Sequence, residues 1–135
     1  MTETAMTTDL LMLAWSAALC ALLWVPYILA RIGAWGLIDA VGYPDSTPDV
    51  PAWSERTQKA HLNLVENLVP FAALVLVAHL AGVSNETTAL GATIFFWARV
   101  AHAIVYTFAI PWVRTLTFVA GFAGQVMIFV EILGA

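Results

Sequence analysis

Four helix-length stretches of mostly apolar side chains fill this chain, at residues 10–30, 54–81, 87–110 and 112–133. A bilayer core is about 30 Å thick, so about 20 residues of helix rising 1.5 Å each cross it. The expected fold is therefore an all-α integral membrane bundle of four transmembrane helices, one domain over residues 1–135. It leaves no room for a separate soluble catalytic module. Composition excludes the ordinary soluble alternative. Of 135 residues, 61% are hydrophobic and 10% charged, against about 45–50% and about 25% in soluble domains. Nucleic acid is not an expected partner, because the five Lys and Arg residues form no run. Cys20 is the one cysteine, so no intrachain disulfide exists.

The first stretch is closed by Arg31 and carries Pro26 near its end, where a kink is expected. It does not read as a signal peptide: residues 1–9 hold Glu3 and Asp9 but no Lys or Arg. Residues 32–53 contain three glycines and three prolines, a spacing of breakers that argues for irregular structure. Ser54 is the expected N-cap of the second helix, residues 82–86 a tight turn, and Pro111 the break before the last helix. Arg31, Arg56, Lys59 and Arg114 fall in or beside the first and third connections. Basic residues stay cytoplasmic, so both termini are expected outside. With no retention signal, a bacterial inner membrane is the expected location.

Ionisable groups inside a span cost about 2.5–3.5 kcal/mol each, so they pair or line a wet cavity. Here they share faces. Lys59, Asn63, Glu66 and Pro70 are spaced four, three and four apart, and Arg99, His102 and Tyr106 three and four apart. Arg114, Thr117, Gly121 and Gln125 form a third stripe. Depth places Glu66 about 12 Å and Arg99 about 16 Å from the cytoplasmic side. Glu66 is thus expected near Arg99 or His102, with Asn63 nearer Tyr106 and Lys59 nearer Arg114, in a polar slot open to the cytoplasm. A lone structural ion pair would explain Glu66 and Arg99 but not the other polar residues on the same faces.

Three segments carry a resemblance: Lys59-Ala-His-Leu-Asn-Leu-Val-Glu-Asn-Leu-Val-Pro-Phe71, Arg99-Val-Ala-His-Ala-Ile-Val-Tyr106 and Pro111-Trp-Val-Arg-Thr115. Together they resemble the MAPEG family, membrane-associated proteins of eicosanoid and glutathione metabolism that include microsomal glutathione transferases and prostaglandin E synthase. The resemblance implies a homotrimer, with glutathione as co-substrate bound between subunits near the cytoplasmic side. It also implies that Lys59, Asn63, Glu66, Arg99, His102, Tyr106 and Thr115 bind glutathione. Arg114 would be the catalytic residue beside the sulfur. Lys59 and Leu62 stand where eicosanoid-type members carry arginines, which favours general conjugation over eicosanoid synthesis.

The chemistry fits. Glutathione has two carboxylates and one ammonium, and a cation beside its thiol lowers a pKa near 8.5 toward neutrality. The expected function is a glutathione-dependent transferase or peroxidase acting on a lipophilic small-molecule substrate in the lipid bilayer. A proton-coupled exporter using Glu66 and a catalytically silent MAPEG-like scaffold are the alternatives. No cluster has metal-ligand spacing, and none of the histidines reads as a metal ligand. His61 and His79 read as structural, Cys20 as packing and Glu131 as solvated. Ala14, Ala18 and Ala21, and Ala120 with Gly124, offer small-residue spacings for close helix approach.

Overall fold

The computed structural model describes residues 5–135. Among the described residues the elements are all helical: α1 Thr8–Leu22, α2 Trp24–Trp35, α3 Leu37–Val41, α4 Ala52–Leu80, α5 Glu86–Thr107 and α6 Pro111–Leu133. α1 and α2 together form one 28-residue span, and α4, α5 and α6 supply spans of 29, 22 and 23 residues. In lipid every backbone N–H and C=O needs an internal partner, and helices provide it. The chain is an integral, multi-pass membrane protein. The start of α1, the turn between α4 and α5 and the end of α6 lie on one face, the terminal face, and the connections after α3 and α5 lie on the other, the connection face.

The expected kink appears as an interruption at Leu23. Pro26 has no N–H for the Leu22 carbonyl, and its ring crowds that same carbonyl. The Leu23 N–H still reaches the Leu19 carbonyl at 2.9 Å, so the span continues through the interruption. His61 of α4 ties the two sides of this interruption together. Its Nε2 lies 2.9 Å from the Cys20 carbonyl and its Nδ1 2.7 Å from the Tyr27 hydroxyl. A neutral ring donating from Nε2 and accepting at Nδ1 satisfies both. His61 is structural, as expected, and Cys20 packs against the core.

Three boundaries differ from expectation. Residues 32–53 are not uniformly irregular: α2 continues to Trp35 and α3 adds a short turn of helix. Gly33 has open space around it and sits inside the helix, whereas Gly36 adopts φ +81° and stops it. Ser54 is not an N-cap. α4 starts at Ala52 after Pro51, and the Ser54 hydroxyl donates back to the Pro51 carbonyl at 2.6 Å. α5 ends at Thr107, short of residue 110, in a turn where Ala109 has φ +60°. Asn85 caps its other end, accepting from the Thr87 and Thr88 N–H groups at 2.9 and 3.0 Å.

α5 is central and touches α1, α4 and α6. The core joins Leu64, Phe71, Val75 and Ala78 of α4 to Ala92 and Phe95 of α5 and Ile128 of α6. The Phe71 and Phe95 rings stack at 3.8 Å. α5 and α6 meet backbone to backbone at Gly91 and Gly124, where a Cβ on Gly91 would stand 2.6 Å from the Gly124 carbonyl oxygen. Small residues let membrane helices gain dispersion contacts that lipid would otherwise supply.

Polar ties close both faces. At the terminal face the Asp9 carboxylate, 1% exposed, accepts from the Ser84 hydroxyl at 2.9 and 2.7 Å and from Thr88 at 3.2 Å. It therefore sits at the positive end of the α5 dipole. Glu131 is not simply solvated: half-buried, it accepts from the Asn85 amide at 2.8 Å. At the connection face Arg56 Nε donates to the Thr107 carbonyl at 2.9 Å, and the Thr57 and Thr107 hydroxyls lie 2.8 Å apart. Asp9→Asn is expected to cost about 1.5–3 kcal/mol, the worth of hydrogen bonds to a charged acceptor. Thermal unfolding in detergent reads this out. An unchanged midpoint would show that the tie adds nothing to stability.

Candidate functional site

The inner faces of α4, α5 and α6 enclose a column of polar side chains. Arg99 and His102, on α5, are 2% and 3% exposed. Arg99 donates from a terminal nitrogen to the Asn63 side-chain oxygen, so α4 and α5 are joined at mid-span. Its Nε is buried with no hydrogen-bond partner among the described residues. The guanidinium carbon lies 5.8 Å from the Phe118 ring centre, a cation–π contact from α6. Gly121 makes room for the stem: a Cβ there would stand 3.4 Å from Arg99 Cδ.

The column continues toward the connection face. His102 lies edge-on to Tyr106 with ring centres 5.5 Å apart, and 6.3 Å from Phe118. The Arg114 guanidinium carbon sits 4.8 Å from the Tyr106 ring centre. Arg99 is eight residues from the end of α5, about 12 Å along the axis. A buried cation thus connects through three aromatic rings, Phe118, His102 and Tyr106, to an exposed cation at the start of α6.

Several expected neighbours are placed differently. Glu66 does not pair with Arg99 or His102. It is exposed and makes no hydrogen bond among the described residues. Asn63 bonds Arg99, not Tyr106. Register and facing together explain both corrections. Thr57 meets Thr107 and Asn63 meets Arg99, so Glu66 lies beyond Arg99's level, toward the terminal face. Counting from Thr107, where α5 ends, puts Arg99 about 12 Å in, level with the expected Glu66, so depth alone does not separate the two: Asn63 faces α5 and Glu66 is turned to the exposed side of α4. Lys59 is exposed without a hydrogen-bond partner among the described residues. Thr115 is exposed as well, its hydroxyl 3.5 Å from the Pro111 carbonyl of its own helix.

Sequence reasoning misses Phe118, the ring against both Arg99 and His102, and Arg56, which pins the end of α5. Phe118 follows Arg114 by four residues on the same helix, a spacing that could flag it. Arg56 reads from the sequence only as a marker of orientation.

Chemically, the column is suited to an anion. A guanidinium offers five N–H donors, and buried donors in native structures are nearly always bonded. Anionic oxygens are what such a group accommodates best, especially in pairs.

Fold and column together define a class: a four-span helical membrane protein with a cation held between helices at mid-depth. More specifically, the MAPEG family model matches residues 12–134, and the chain belongs to the MAPEG family. Curated relatives are microsomal glutathione S-transferase 1 proteins. The human protein is 38% identical over 69 residues, covering 50% of this chain and 44% of its own length. The Rattus norvegicus protein is 39% identical over 69 residues, with the same shares covered. The Sus scrofa protein is 40% identical over 57 residues, covering 42% of this chain and 37% of its own length. Each match thus spans less than half of the relative.

Proposed function

We propose that this protein is a glutathione-dependent transferase, with peroxidase activity toward lipid hydroperoxides, acting on lipophilic substrates that arrive from the bilayer. The observation that carries this reading is Arg99, a buried guanidinium bonded once to Asn63 with its Nε unpartnered. Family membership and the microsomal glutathione S-transferase 1 relatives supply the ligand chemistry. Arg99 and Lys59 would take the carboxylates of glutathione, and Glu66 its ammonium. Asn63, His102, Tyr106 and Thr115 complete the binding set. Arg114 is the catalytic residue: its permanent charge favours the thiolate, the form that attacks electrophiles. Attack on a carbon electrophile gives a thioether.

The site we propose is completed in a homotrimer. Lys59 and Glu66 are exposed on this chain. An uncovered carboxylate inside a span is costly, so a neighbouring copy and the ligand would cover it. The proposed setting is a bacterial inner membrane with both termini outside, consistent with the basic residues at the connection face. Family membership does not favour the exporter alternative.

Thermal unfolding of the detergent-solubilised protein tests the reading. Glutathione at 100 times its Kd is expected to add about 2.7 kcal/mol to the folded state. Glu66→Gln should remove most of that gain. Arg114→Ala should keep much of it while losing the ultraviolet absorbance of bound thiolate. No shift at millimolar glutathione would leave a silent scaffold as the better account.

A further inference from the structure

Beside the interruption at Leu23 lies a groove. On the terminal side of Leu23, α1 packs on both α4 and α5; beyond it, α2 packs on α4 but not on α5 among the described residues. The space left between these helices is about 240 Å³, walled by Leu23, Pro26, Trp53, Val100 and Ile104. Ala103, 7% exposed, lines it too, so a small side chain keeps it open. Along α5 the groove runs from Val100 to Thr107, about 10 Å, and ends at the connection face.

At that end a cation is held in place. Arg56 follows Trp53 by three residues, on the same side of α4. Its Nε donates at 2.9 Å to the carbonyl of Thr107, itself a lining residue. Thr57, 3% exposed, ties the same end through its hydroxyl contact with Thr107. The terminal nitrogens of Arg56 have no acceptor among the described residues, and the side chain is only half-buried. A fixed guanidinium therefore stands at the mouth of an apolar slot with donors to spare.

We propose that this groove holds an acyl chain of an anionic phospholipid whose phosphate is bonded by Arg56. Charge complementarity selects the occupant. An apolar slot within a span accepts hydrocarbon, and a guanidinium at its interfacial end matches phosphate oxygens in pairs. Basic groups beside gaps between membrane helices suit such headgroups. A helix of a second copy is too wide, being about 10–12 Å across with its side chains. A whole small molecule is too large, since its sites measure about 300–1,000 Å³. The bound lipid bridges α2 and α5, which the protein itself leaves apart. None of this depends on the transferase reading.

Native mass spectrometry from one detergent tests this with two lipids of identical dioleoyl chains, phosphatidylglycerol and phosphatidylcholine. Phosphatidylglycerol is expected to bind at least about fivefold more tightly, the worth of one basic group at a membrane surface. Arg56→Gln should bring it down to the phosphatidylcholine value, and Arg56→Lys should keep most of the preference. Arg31→Gln removes an equal charge from the same face outside the groove and should change nothing. Ala103→Leu, which fills the groove and keeps Arg56, should weaken both lipids severalfold. Equal phosphatidylglycerol binding by wild type and Arg56→Gln would overturn the proposal, and so would undiminished binding by Ala103→Leu. An equal loss in Arg31→Gln would overturn it in favour of diffuse surface charge. Displacement of the lipid by millimolar glycerol 3-phosphate would overturn it as well, because the groove would then add nothing to a phosphate site. The Ala103→Leu and glycerol 3-phosphate arms leave Arg56 intact, so they decide the matter even if Arg56→Gln fails to fold.

Discussion

Asn63→Leu is expected to be among the most damaging single substitutions in this protein, costing about 2–4 kcal/mol. The new side chain has nearly the same shape, so the packing loss is small. What remains is a guanidinium 2% exposed that has lost its Asn63 acceptor. Removing one partner of a buried polar contact exacts the desolvation cost of the other, and charged groups suffer most. Arg99→Met removes the charge itself and keeps much of the stem that lies against Gly121, so it should cost less. The double variant, Asn63→Leu with Arg99→Met, should then be more stable than Asn63→Leu alone. Unfolding midpoints of the four proteins in one detergent form the cycle. A double variant less stable than either single one would show that Arg99 has other means of compensation. Glutathione stabilisation should vanish in Arg99→Met even though the protein remains folded.

The second large effect is expected at the crossing of α5 and α6. Gly124→Ala, or Gly91→Ala, places a methyl against the facing helix's backbone, at 2.6 Å in the Gly91 case. Backbone cannot rotate aside as a side chain can, so the helices must separate. Alanine's better helix propensity, worth about 1 kcal/mol, is outweighed by overpacking of about 1–3 kcal/mol and by weaker dispersion attraction along both separated helices. A fall in the thermal midpoint of roughly 5–10 °C is expected. Gly121→Ala is the control, because its Cβ would meet only side-chain atoms, the nearest at 3.4 Å. A Gly124→Ala protein as stable as wild type would mean that the helices do not approach this closely in the membrane.

How far the sequence can be read differs from one feature to the next. The four spans are legible because apolar content over a bilayer's length is a local property of the chain. The interruption at Leu23 is legible for the same reason, being set by the missing N–H of Pro26. The cap at Ser54 is not, because Pro51 offers its carbonyl to the same hydroxyl. The polar faces are readable from spacing alone, and Arg99, His102, Tyr106 and Arg114 do line one column. The partner of Arg99 is not readable. It depends on the relative height and rotation of two helices, which together exchange Asn63 for Glu66.

By itself, then, the sequence determined the membrane class, the number of spans, the stripes on each helix and a motif that resembles the MAPEG family. Each of these follows from composition, from 3.6-residue periodicity or from contiguous residues. Only the tertiary structure decided that Gly91 faces Gly124, that Asp9 reaches Ser84 and Thr88, and that Asn63 meets Arg99. Those relations join residues as far as 79 apart in the chain. They arise because α4, α5 and α6 slide until polar groups find partners and glycines meet. That is a balance among all the helices, which no single segment encodes.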